Sequence, residues 1–246
     1  MIVDSHIHLK HGDAAKTEYS PETIVAMMDA AGIDKAVVFA MSTTTRRSIE
    51  MAQEAMEKFP ERLIPYVYAL PHYERPVLAE IREAITGLGF RGIKIHYVEC
   101  SLAEHIIDPV IRLAGNLDVP CLIDFGGRLA DVERLARSFP GTRIIVAHLG
   151  QYQCREESLI DRCLSLAETY PNLYLDASGV VLIHKISEAV QRVGSARVLY
   201  GSDGPHLDPD TWGFARKELT KVASLGLDPV DETAVLGGSI STLLGL

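Results

Sequence analysis

Residues 35–40 read Lys35-Ala36-Val37-Val38-Phe39-Ala40, and residues 143–147 read Arg143-Ile144-Ile145-Val146-Ala147. Neither run alternates polar with apolar. Each is apolar almost throughout and short, which suits a parallel strand covered on both faces. Similar strand-like runs lie at 2–8, 63–69, 91–97, 119–125, 172–177 and 197–203. Their starts are spaced by roughly 24–33 residues, the length of one strand-plus-helix unit. The segments between them carry helix signals. Ser20-Pro21-Glu22-Thr23 supplies an N-cap with proline at the first helical position. Ile24, Met27, Met28 and Ala31 follow at helical spacing, and Gly32 stops the run. Comparable patterns occupy 46–58, 75–87, 102–116, 129–138, 156–170, 184–193 and 213–226, and 229–244 reads as an additional C-terminal helix. Eight such units, with no Gly/Ser linker or composition break, predict an α/β chain folded as one domain over 1–246, a (β/α)8 TIM barrel. An open doubly wound sheet is the rival, because local periodicity does not distinguish closure from openness.

Composition narrows the function. The chain has 246 residues, 47% of them hydrophobic, enough to bury a large core. Twenty-four Lys and Arg against 33 Asp and Glu give a net charge of −9, which argues against nucleic acid and anionic membranes as partners. The four cysteines, Cys100, Cys121, Cys154 and Cys163, form no CxxC pair and read as reduced thiols. No apolar leader opens the sequence, and no apolar run approaches the ~20 residues of a membrane span. The expectation is a cytoplasmic protein acting on a small molecule, with homo-oligomerisation left open.

The first strand does alternate. In Ile2-Val3-Asp4-Ser5-His6-Ile7-His8, period two puts Asp4, His6 and His8 on one face, and two such imidazoles can grip a metal. Other strands also carry ionisable residues at or near their ends: Lys94 and His96 in strand 4, Asp124 in strand 5, His148 in strand 6 and Asp203 in strand 8. Each alone has a plain reading, a snorkelling lysine, a helix-capping aspartate or a hydrogen-bonded histidine. Together, at matching ends of regularly spaced strands, they should converge on one another, on a metal or on substrate, because isolated burial is costly. In barrels of this kind that end carries the chemistry.

These motifs resemble the amidohydrolase superfamily, in its amidohydrolase-related branch of barrel hydrolases and decarboxylases. The matching pieces are Asp4-Ser5-His6-Ile7-His8, Gly89 through His96 (GFRGIKIH), Ile145-Val146-Ala147-His148-Leu149-Gly150 and Tyr200-Gly201-Ser202-Asp203-Gly204-Pro205-His206, in the family's order and across most of the chain. The resemblance implies one divalent metal, zinc first and manganese second, held by His6, His8 and Asp203, with Asp124 or His148 completing the shell. It implies catalytic roles for Asp203 as general base and His148 as a group that binds the ion or stabilises an oxyanion. Lys94 and His96 would line the pocket, with Arg128 and His206 as further substrate-binding candidates. Arg46, Arg47, His72, Tyr97 and Tyr152 are weaker ones, and His11, His105 and His184 are assigned to surface or packing.

Two departures bear on the metal. The branch usually ends strand 5 in a histidine, where this chain has Asp124 in Pro120-Cys121-Leu122-Ile123-Asp124-Phe125-Gly126. A carboxylate can take that place with harder ligand character. The stretch from Gly126-Gly127-Arg128 to Phe139-Pro140 also resembles the metal-independent 2-pyrone-4,6-dicarboxylate lactonases. Lys94 is in the strand that carries a carbamylated lysine in two-metal relatives, but no clear second partner histidine accompanies His148, which favours one ion. The expected activity is metal-dependent hydrolysis of a small, carboxylated amide, ester or lactone by activated water. The alternatives are a non-oxidative decarboxylase, a metal-independent lactonase and a non-catalytic binding paralogue.

Overall fold

The structure is a computed structural model and describes residues 1–206 and 211–246, with the side chains of 211–214 left aside. Eight parallel strands lie in sequence order: β1 (Val3–Lys10), β2 (Lys35–Ala40), β3 (Leu63–Tyr68), β4 (Gly92–His96), β5 (Cys121–Asp124), β6 (Ile144–Val146), β7 (Leu173–Asp176) and β8 (Val198–Leu199). The ring closes without a full β8–β1 ladder. Residues 200–204 run on beside β1, where Ser5 N donates to Tyr200 O (3.0 Å), Asp203 N to His6 O (2.8 Å) and His8 N to Gly204 O (2.7 Å). Closed pairing of this kind makes the molecule a single-domain (β/α)8 barrel and removes the open-sheet rival.

Helices α1 (Pro21–Ala31), α2 (Thr45–Lys58), α3 (Leu78–Leu88), α4 (Glu104–Asn116), α5 (Leu129–Ser138), α6 (Glu157–Thr169), α7 (His184–Val193) and α8 (Thr211–Ala223) follow the strands in turn. The caps explain several boundaries. The Ser20 side chain accepts from Thr23 N, and Gly32 ends α1 at φ 79°. Thr44 caps α2 through Arg47 N. Where α3 was expected from residue 75, His72 and Arg75 instead exchange backbone hydrogen bonds in a tight turn, and the helix starts three residues later.

The core is layered as a barrel requires. One buried set, including Val37, Phe39, Tyr66, Leu122, Ile145 and Leu199, fills the inside of the strand ring. The larger set packs the outer strand faces against the helices. The expected single closing helix over 229–244 is broken into α9 (Pro229–Thr233), a wide turn over Ala234–Gly238 and α10 (Ser239–Leu244). The break has a packing cause. A Cβ on Gly237 would lie 2.4 Å from the Met1 carbonyl oxygen and 2.9 Å from Val3 N, so the turn is pressed against the start of β1. From there Ile240, Leu243 and Leu244 of α10 join the interior set and plug the N-terminal end of the barrel. The opposite end is left open. Among the described residues no helix is long and apolar enough to cross a membrane.

Candidate metal and active site

The open end forms a cavity of about 520 Å³. Into it project His6 and His8 from β1, Lys94 and His96 from β4, Asp124 from β5, His148 after β6, and Asp203 and His206 after β8. The strand-end residues singled out by the sequence therefore meet in one place.

Hydrogen-bond chemistry fixes which atoms face the centre. His6 Nδ1 lies 3.0 Å from Asp176 Oδ2. A carboxylate can only accept, so the neutral ring carries its proton on Nδ1 and its lone pair on Nε2. That Nε2 accepts from Lys94 Nζ at 3.0 Å and lies 3.1 Å from Asp203 Oδ1. Burial, reinforced by the Lys94 charge, pushes the His6 pKa down to about 4, so the ring is neutral near pH 7. That lone pair, which accepts from Lys94, thus also faces a carboxylate oxygen at hydrogen-bond distance in a buried place. The same Asp203 Oδ1 lies 2.9 Å from His8 Nε2, while His8 Nδ1 is buried without a partner. Burial also lowers the His8 pKa. The carboxyl of Asp203 would be raised by burial, but the surrounding His6, His206 and His8 outweigh that and hold it well below the usual range.

This donor set fits a divalent cation. The ligand atoms of His6, His8 and Asp203 lie within 4.8 Å of one another. Two neutral imidazoles and an ionised carboxylate are ligands that zinc and manganese accept, and a cation among them resolves the contact between two acceptors. Asp176 orients His6 from behind, as outer carboxylates do at metal-bound histidines. His6, His148 and Asp176 form a second group of possible ligand atoms. There, however, Ser178 Oγ donates to Asp176 Oδ2 at 2.5 Å and lies 3.1 Å from His148 Nδ1, so hydrogen bonds already occupy that group.

Asp124 stands apart from the triad. Its Oδ2 lies 3.0 Å from His96 Nε2 and 3.7 Å from His148 Nε2, and its Oδ1 accepts from Gly126 N at 2.8 Å. Burial would raise this carboxyl, but the His96 hydrogen bond and the neighbouring His148 and Lys94 override it, leaving it low. The cause is register: β4 and β5 pair His96 with Asp124 side by side. His96 Nδ1 accepts from Val98 N at 3.2 Å, so both of its nitrogens are engaged. His148 Nδ1 donates to Ser178 O at 2.9 Å, and in the neutral ring Nε2 is then a lone pair turned toward the cavity.

Other expected residues fall elsewhere. Arg128 lies over the Tyr97 ring at 5.2 Å and does not line the cavity. Arg46 and Arg47 are spent on ion pairs with Glu83 (2.8 Å) and Glu50 (3.4 Å). His72, His105 and His184 are exposed. Tyr97 and Tyr152 do line the cavity. His11, expected at the surface or in packing, is in the site: it stacks on His8 with ring centroids 4.3 Å apart and donates to the Pro205 carbonyl. The reason is that β1 continues to Lys10, two residues beyond its expected end. Asp176 and Ser178 were not foreseen at all. The available signal was the run Leu173-Tyr174-Leu175-Asp176, another strand ending in a carboxylate.

The backbone bends to aim these groups. His148 (φ 59°) and Asp203 (φ 58°) both adopt the left-handed conformation. Such outliers persist where the surroundings hold them, often at sites of chemistry. Gly201 permits one close approach, since a Cβ there would lie 2.6 Å from Asp176 Oδ1 and 3.0 Å from His6 Cβ.

Fold and site together define a (β/α)8 barrel whose open end carries a donor set suited to a cation. Comparison with known proteins agrees: the family model for amidohydrolases matches residues 3–246, and the chain belongs to that family. No curated protein matches. Among solved structures, an amidohydrolase from Burkholderia multivorans with bound zinc is 16% identical, with TM-score 0.80 over 100% of this chain and 99% of that one. A probable 2-pyrone-4,6-dicarboxylic acid hydrolase from Acinetobacter baumannii, with citric acid bound, is 15% identical, with TM-score 0.74 over 100% and 99%. A dihydroxybenzoic acid decarboxylase from Polaromonas sp., with manganese and an inhibitor bound, is 16% identical, with TM-score 0.72 over 100% and 97%.

Proposed function

We propose that the protein is a metal-dependent hydrolase of a small amide, ester or lactone. The observation that carries this reading is the buried approach of the His6 Nε2 lone pair to Asp203 Oδ1 at 3.1 Å, with His8 Nε2 on the same oxygen. His6, His8 and Asp203 would hold one divalent ion, zinc or manganese, the ions bound in two of the structural neighbours. When bound, such an ion polarises a carbonyl and brings water acidity toward neutral pH. The chain's own groups do the rest. Asp203 Oδ2, not engaged by His6 or His8, takes the proton from the attacking water and delivers it to the leaving group. Lys94 Nζ, buried beside His6, orients the polar end of the substrate that reaches the floor of the cavity. His148 Nε2 accepts a hydrogen bond there and helps to place the water.

A second reading, non-oxidative decarboxylation, draws on Lys94 as well, because a lysine at the cavity floor can anchor a carboxylate. One experiment separates the two and tests both. The protein is stripped with a chelator, reloaded with zinc or manganese, and assayed on lactones, esters, amides and aromatic acids. Metal near one equivalent, with hydrolysis that vanishes on chelation and in Asp203→Asn, is the expected result. Carbon dioxide release in place of hydrolysis selects the second reading. Protein that binds less than about a tenth of an equivalent of either metal when reloaded refutes the ligand assignment.

A further inference from the structure

The sequence led us to expect arginines that would hold a carboxylated substrate, and the cavity wall does not supply them. Among the described residues lining it, the only lysine or arginine is Lys94, against the four carboxylates Asp13, Glu99, Asp124 and Asp203. Asp203 belongs to the metal triad and Asp124 to His96. The other two lie outside that inner ring. Asp13 is three residues past the end of β1 and Glu99 three residues past the end of β4, so both belong to the loops that form the mouth. They also share one side of it: a Cβ on Gly12, next to Asp13, would lie 3.2 Å from Glu99 Oε1.

Glu99 is held in place. Its Oε2 accepts from Ser42 N at 3.0 Å and from the Tyr68 hydroxyl, and its Oε1 accepts from the Ser42 hydroxyl. Burial and the adjoining Glu99 keep the Tyr68 phenol protonated, so it remains a donor. A carboxylate has about four lone-pair sites. Three are filled, which leaves acceptor capacity on Oε1. Among the described residues, no Lys or Arg lies within ion-pair distance of Glu99 or Asp13. A fixed, uncompensated acceptor on the wall of a cleft attracts donors and repels anions, and a site that carries such a group discriminates by it.

We infer that the end of the substrate remote from its reacting carbonyl carries hydrogen-bond donors and no anionic group, and that Glu99, with Asp13 beside it, reads that end. The inference deepens the proposed hydrolase reading and rests on it for which end of the substrate meets the metal triad. It replaces the expected carboxylated substrate with one whose outer end bears hydroxyl or ammonium groups. An anionic group is still compatible with the floor of the cavity, beside Lys94.

The test separates this selectivity from turnover. Zinc-loaded protein is titrated calorimetrically with three phenylacetohydroxamates, whose hydroxamate anchors on the metal and whose para substituent is hydroxymethyl, aminomethyl or carboxylate. We expect the better of the two donor-bearing ligands to bind at least about tenfold more tightly than the carboxylate. The order of hydroxymethyl and aminomethyl tells whether the natural donor is a hydroxyl or an ammonium. In Glu99→Gln the preference should shrink to within about threefold. If that variant loses its native circular dichroism spectrum, Asp13→Asn serves in its place with the same expected direction. Equal or tighter binding of the carboxylate ligand to the wild type overturns the inference, as does an unchanged preference in the folded variant. Failure of all three ligands to bind zinc-loaded protein overturns the metal-anchored reading instead, and this inference with it.

Discussion

At the scale of single residues, the site is built from groups that are individually unfavourable. His148 and Asp203 occupy left-handed backbone conformations, which cost an L-residue roughly 1–2 kcal/mol each. His6 and Asp203 bring two acceptors together in a buried place. Lys94, which donates to the same His6 nitrogen, offsets this, while Asp176 holds the His6 proton on the far side of the ring and so fixes which nitrogen faces Asp203. The outer carboxylate should therefore set metal affinity without touching the metal. Asp176→Asn keeps the shape but can turn an amide N–H toward His6 Nδ1, which favours the wrong tautomer. We expect zinc affinity to fall about 10–100-fold, read by competition with a chromophoric chelator. An affinity within about twofold of wild type would show that His6 is oriented by something else. The residues of the triad were legible in the sequence because ionisable groups inside apolar runs stand out. Asp176 has the same signature and was missed because no partner in the chain announces it. The pairing of Asp124 with His96 could not be read at all, since it depends on the register between β4 and β5.

At the scale of elements, strands and helices could be read from period and caps, and their order in the barrel followed. Ends were less visible. β1 runs two residues further than its alternation suggested, and that extension turns His11 from a surface residue into a wall of the site. β8 is two residues long, because the chain beyond it pairs with β1 by single hydrogen bonds. The C-terminal helix was expected to be continuous because 229–244 has helical spacing throughout. What divides it is a contact distant in sequence, between Gly237 and the backbone of Met1 and Val3. Backbone atoms have little room to move, so any side chain at 237 must displace either the start of β1 or the turn that leads to α10. Gly237→Ala should lower stability by about 1–3 kcal/mol in urea unfolding, the usual range for overpacking. The loss should be thermodynamic and not confined to the mouth, because Ile240, Leu243 and Leu244 seal the opposite end. A variant as stable as the wild type would mean that this end of the barrel relaxes without consequence.

At the scale of the whole molecule, the four thiols are buried and unpaired, as the absence of any CxxC spacing suggested. Their burial has a consequence for the entire fold. Cys121 in β5 and Cys163 in α6 are completely enclosed, and burial pushes each thiol up to about 12 from an ordinary 9.0. Between those values the folded chain keeps two protons that the unfolded chain releases. Unfolding therefore becomes more favourable as pH rises, and the stability contributed by the neutral thiols is full below 9 and declines through the window from 9 to 12. At pH 10 each of these thiols should remove about 1.4 kcal/mol, and Cys100, which burial pushes up to about 11, about as much again, so the three together remove about 4 kcal/mol. The measurement is the urea midpoint at pH 8 and pH 10 under reducing conditions. Cys163→Ala should be less stable at both values yet lose only about two thirds as much between them, because one of the three titrating thiols is gone. The phenol of Tyr66, also raised by burial, adds a smaller part at pH 10 and more above it, since its unfolded counterpart ionises near 10.0. A midpoint that stays level from pH 8 to pH 10 would mean that these thiols ionise in the folded chain, which the close packing of strands against helices does not allow.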